Sequence, residues 1–140
     1  MALSSAGAMV LAAMDDLIER TAGHSVADTV DRLGAAAAER GMTVFARVDH
    51  AAGAREAGLE LADEVVLLVG SPKAGTLLMQ RDARVGLDLP LRILVWDDGG
   101  TTRIAYRPPA AAVPADERAG LEALLEQMAG GLAQLVDAAA

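Results

Sequence analysis

The residues of this chain whose types could do chemistry are few: His50 beside Asp49, Lys73 with Ser71 in a glycine-bounded turn, and Tyr106 at the end of an apolar run. A carboxylate next to an imidazole can orient it for proton transfer at neutral pH, which makes His50 the candidate general acid or base. Adjacent strand residues point to opposite faces, however, so the pair works only if the chain turns at His50. The simpler expectation is that Asp49 caps a helical turn and leaves His50 at the surface. No serine or cysteine stands at a spacing that ties a nucleophile to this pair, and His24 beside Ser25 reads as a solvated residue.

The run Gly70-Ser71-Pro72-Lys73-Ala74-Gly75-Thr76 has the flavour of a phosphate loop, because a turn that opens a helix offers free backbone N–H groups to an anion. The order of residues is wrong for nucleotide hydrolysis. A phosphate loop carries its lysine directly after the second glycine and before Ser or Thr, but here Lys73 precedes Gly75. What remains is a weaker site in which Ser71 and Lys73 hold a small or anionic ligand. His50 and Tyr106 are the expected companions of that site. Trp96 and Tyr106 are expected to share a sheet face that lines it.

Composition narrows the classes further. With a net charge of −8, a single lysine and three aromatic residues in 140, the chain has neither a basic patch for phosphates nor a stacking platform for bases, so no nucleic-acid partner is expected. Zero cysteines removes thiol chemistry and thiolate metal sites and suits the cytoplasm, and two histidines make a dedicated metal site unexpected. No cofactor is expected either. The apolar start, MALSSAGAMVLAAMDD, lacks the basic residues of a secretory signal, and no run is long enough to cross a bilayer.

The elements that must position these residues are legible from periodicity. Ser25 precedes a stripe of Val26, Val30, Leu33 and Ala37 at helical spacing, closed by Gly41. Thr43 to Asp49 alternates as a half-buried strand, with Val44, Ala46 and Val48 on one face. Ala51 to Ala57 reads as a short helix ended by Gly58. Glu64 to Val69 is a strand buried on both faces, or on one face and a subunit contact. Pro72 suits the first turn of a helix running from Lys73 to Arg84, with Leu77, Leu78 and Met79 inward or partly inward. Gly86 to Pro90 is a turn fixed by Asp88, and Arg92 to Asp97 pairs with Thr101 to Tyr106 across Asp98-Gly99-Gly100. Beyond an Ala/Pro connector, Leu121, Leu124, Leu125, Met128, Leu132 and Leu135 mark an amphipathic helix interrupted at Gly130-Gly131. The chain start reads as a helix followed by a strand over Leu17 to Thr21. Residues 1–16 thus form an extension, 17–110 a domain, and 111–140 a connector and C-terminal helix.

Five segments in order resemble the domain-of-unknown-function family 302: HSVADTVDRL from His24, GMTVFARVDHAAGAREAGLEL from Gly41, GSPKAGTLLMQ from Gly70, GLDLPLRILVWDD from Gly86, and Tyr106. The resemblance covers roughly residues 17 to 109. It implies an α/β (α+β) fold, a curved, mainly antiparallel sheet of about five strands backed by helices, similar in topology to the TATA-binding protein, and a homodimer. It implies no catalytic residue. Ser71 stands where the family usually has Asn, and Arg107-Pro108 where it usually has Asn-Asp before the proline. The leading expectation is therefore a dimeric binding or interaction module; the alternative is an enzyme with His50 as acid or base and Lys73 holding an anionic substrate.

Overall fold

Asp98 is followed by two glycines at φ +60 and +97, the backbone that a two-residue hairpin loop demands and that side chains resist. Around that loop β4 (Leu91–Asp98) and β5 (Thr101–Tyr106) pair antiparallel, Asp98 opposite Thr101 and Ile93 opposite Tyr106. The computed structural model describes residues 16–140, so the helix expected in the N-terminal extension lies outside the described residues. The strand that follows it is present as β1 (Ile18–Ala22), paired with β5. With β2 (Thr43–Asp49) and β3 (Glu64–Gly70) the sheet has five strands in the order β1-β5-β4-β3-β2, every neighbouring pair antiparallel.

Helix α1 (Val26–Glu39) starts where expected, with Ser25 Oγ accepting the Asp28 N–H at 3.1 Å. Its stripe of Val26, Val30, Leu33 and Ala37 is buried against Val65, Leu67, Val69, Ile93, Val95, Ile104 and Tyr106 of the sheet. Fully burying one such Val or Leu contributes about 1.5–3 kcal/mol, so this stripe fixes the helix on the inner sheet face. The C-terminal helix α4 (Glu122–Ala139) joins the same core through Leu132, Leu135, Val136 and Ala139. It runs unbroken through Gly130-Gly131, contrary to the expected interruption. Packing of the leucines on both sides of the pair outweighs a helix penalty of about 1 kcal/mol per glycine.

Two local readings are corrected and a third is narrowed to one of its alternatives. In β2 the register shifts between Val44 and Ala46, so Val44 leaves the face shared by Ala46 and Val48, and the whole edge strand is exposed rather than half-buried. In β3 the residues alternate, Val65, Leu67 and Val69 buried and Val66 and Leu68 only partly, so one face alone is sealed. The third helix, α3, spans Pro72–Arg81 and buries only Leu78, leaving Leu77 and Met79 at the surface. It stops early because Asp82 accepts the Arg84 N–H at 2.9 Å and starts a 3-10 turn, Ala83–Asp88. The short helix α2 (His50–Glu56) links β2 to β3.

Candidate functional site

Four segments meet at the end of the sheet where β3 runs into α3. Ser71 Oγ accepts the Ala74 N–H at 3.4 Å and begins α3, with Pro72 in the first turn. Beneath α3, Leu78 packs with Val85, Val113 and Leu125, a second core that joins α3 and the 3-10 turn to α4. Between these walls lies a pocket of about 270 Å³ lined by Phe45 of β2, Gly70 to Pro72, Gly75, Thr76 and Met79 of α3, Gly86, Leu89 to Leu91, and Met128 of α4.

The chemistry of the lining is largely apolar. Phe45, Met79, Leu89, Leu91 and Met128 supply hydrocarbon, ring and thioether surface, and none of the lining residues carries a charge. The two hydroxyls are anchored to the backbone of α3: Ser71 accepts at Ala74 N, and Thr76 Oγ1 donates to the Pro72 carbonyl at 2.7 Å. Ser71 thus keeps its hydroxyl proton and Thr76 its lone pairs for a guest. Gly86 is a close-approach position, since a Cβ there would stand 3.0 Å from the Met79 sulfur. Gly75 is different, because an added methyl would meet Leu89 at 3.6 Å, an ordinary contact inside the pocket.

Of the residues singled out in the sequence, the structure brings only Ser71 to this pocket. Lys73 lies on the exposed side of α3 and makes no ion pair among the described residues. His50 is exposed and follows Asp49, whose Oδ1 accepts the Ala52 N–H at 2.9 Å as the cap of α2. Asp49 pairs with Val65 while Thr43 pairs with Gly70, so His50 and Ser71 stand at opposite ends of the β2–β3 ladder. Five strand residues separate those ends, about 17 Å at about 3.4 Å per residue. A general base acts within hydrogen-bond reach or through one water, so the expected convergence of His50 with Lys73 is not found.

Tyr106 is buried in the main core, 5% exposed, and burial pushes its phenol above the usual range; nearby Arg20 acts the other way and Asp137 adds to the rise. Trp96 does not share its face. Ile93 is the partner of Tyr106 and Arg103 that of Trp96, and positions 93 and 96 differ by an odd number, so the two aromatics lie on opposite sides of the sheet. Phe45, Met79, Leu89 and Met128 carry no reactive group to mark them; the available signals are the sole phenylalanine, on an edge strand, and a methionine in each of two helices. Among the described residues no cluster of His, Asp and Glu is arranged to hold a metal ion.

An antiparallel five-stranded sheet with two helices on one face and an apolar pocket at its end is a small α/β architecture. The chain belongs to the family described as domain of unknown function DUF302, which matches residues 18–139 and so runs through α4. The crystal structure of an uncharacterized conserved DUF302 protein from Bacillus stearothermophilus superposes at a TM-score of 0.81 with 21% identity, covering 89% of this chain and 98% of that one. The fold is therefore that of the family. Proteins named fluoride-specific ion channel FluC 1 from Brucella suis and Brucella abortus are 50% identical over 88 residues, 62% of this chain but only 35% and 33% of theirs. The matched segment is about a third of the length of those proteins.

Proposed function

We propose that this domain is a binding module whose end-of-sheet pocket takes a small, uncharged, largely apolar ligand, and that it works in the cytoplasm, which a chain without cysteines suits. The observation that carries the reading is the lining itself: apolar side chains from four elements, no charged group, and two anchored hydroxyls left to orient a guest. A volume of about 270 Å³ suits a guest of one or two rings. An anion would lose its hydration here without gaining a cation, since Lys73 lies outside the lining. Calorimetric titration with indole and with inorganic phosphate tests this. Heat of binding with indole that vanishes in Gly75→Leu supports the pocket; binding of phosphate alone refutes it.

The channel-named relatives favour a second reading, in which such a domain is an accessory of a membrane protein. No helix among the described residues is long and apolar enough to cross a membrane, so this segment would lie beside the pore rather than form it. Fluoride flux through vesicles bearing the Brucella suis protein, intact and with the matched segment removed, separates the cases. Flux that persists supports an accessory, and flux that requires the segment makes it part of the conducting unit.

A further inference from the structure

Ile18, the first residue of β1, stands in one row with Tyr106, Ile93 and Leu67, toward the end of the sheet where β3 turns into α3. The chain that precedes it therefore leaves the sheet at the pocket end. Leu91 of the lining lies two strands across and two residues along from Ile18, about 12 Å at about 4.8 Å between strands and about 3.4 Å per residue. The stretch from Val10 to Ile18 covers about 12 Å even when wound as a helix, and about twice that when extended. Residues before Val10 reach further.

The mouth of the pocket is apolar on its outside as well. Phe45 of the lining is 50% exposed, and Leu87, next to Gly86 of the lining, is 82% exposed. Met79 of the lining is exposed too, as are Val44 beside Phe45 and Leu77 beside Thr76. Five of the eight exposed large hydrophobic residues thus lie in the lining or next to it in sequence, which makes this one patch rather than scatter. The chain holds a segment to match it. Residues 1–14, MALSSAGAMVLAAM, carry no charged side chain and form the longest such run in the sequence, ending at Asp15 and Asp16. The lining carries no charge either, so segment and pocket can meet without stranding one away from water. A segment tethered this close needs little affinity of its own, since its effective concentration is on the order of millimolar. We propose that residues 1–14 of the same chain cover the mouth of the pocket, with Val10 and Leu11 set against Phe45, Met79 and Leu87, and so compete with the apolar guest. The inference rests on the reading of the pocket as an apolar binding site.

The chain has no cysteine, so a nitroxide attached to Ala8→Cys labels it at a single point. Amide spectra of the labelled chain should show broadening at Gly75, Gly86 and Leu89 and none at Gly99, in the hairpin at the other end of the sheet. Val10→Asp with Leu11→Asp should abolish that broadening and tighten indole binding in calorimetry. A mouth covered four-fifths of the time predicts a gain of about fivefold. Broadening centred on any other region, or none above a uniform background, overturns the proposal. So does broadening that survives the double substitution, or a measured indole affinity that is the same with and without it. Broadening passed from a spin-labelled chain to an isotope-labelled one without the nitroxide assigns the segment to a second copy and also overturns it. Absence of indole binding in both forms strikes the guest alone, because the broadening decides the place of the segment without it.

Discussion

The two ends of the β2–β3 ladder separate what the sequence makes conspicuous from what the structure makes useful. At one end Asp49 and His50 look like a catalytic pair, yet Asp49 is spent on capping α2 and His50 is exposed. At the other, Phe45, Gly75, Met79 and Leu89 carry no reactive group but enclose the pocket. Reactivity belongs to residue types, whereas a site also needs concavity, and concavity comes from where elements cross. Here α3, the 3-10 turn and α4 cross beside the end of the sheet, while the His50 end has one short helix.

The largest effect should come from undermining the pocket end. Leu78→Ala removes a fully buried side chain from the core that joins α3 to α4 and should cost about 2–5 kcal/mol, read as a lowered denaturant midpoint. Indole affinity should fall with it; affinity that stays intact would detach the pocket from that core. At the opposite end, Asp49→Ala removes the cap of α2 and should cost about 1 kcal/mol while indole binding is unchanged. A loss of binding there would show that the two ends are coupled after all.

Gly75→Ala sharpens the contrast. It places a methyl against Leu89 within α3, so stability should rise by up to about 1 kcal/mol while indole affinity falls. A rise in both would place the guest elsewhere. The smallest effect at neutral pH should be Tyr106→Phe. The folded phenol titrates above its unfolded counterpart, so the stability it supplies is complete below about pH 10 and is lost as pH rises through the folded value. The variant should therefore flatten the alkaline fall in melting temperature, and an unaltered fall would assign that loss to other groups.

The fold was legible because its signals are local and repeated. Ser25 and Asp49 as caps, Gly99-Gly100 as the hairpin loop and the leucine stripe of α4 each act within a few residues. Where the reading failed, a contact distant in sequence decided two of the outcomes and a local cap the third. The register shift at Phe45 depends on β3, the continuity of α4 depends on the sheet and α1, and the early end of α3 follows from the Asp82 cap and its Arg84 pair. The pocket was the least legible part. Ser71 is legible as a candidate ligand residue because its turn opens a helix, but Met79, Leu89 and Met128 become neighbours only after α3 and α4 pack. Trp96 and Tyr106 were joined by strand proximity and separated by the pleat.

Amide chemical-shift mapping during titration with indole and, separately, with phosphate tests the central claim most directly. The account predicts that indole perturbs residues around Gly75, Gly86 and Leu89 and leaves His50 still, while phosphate perturbs neither end. Perturbation by phosphate centred on Lys73 or His50, with Gly75 and Leu89 unmoved by indole, would contradict it.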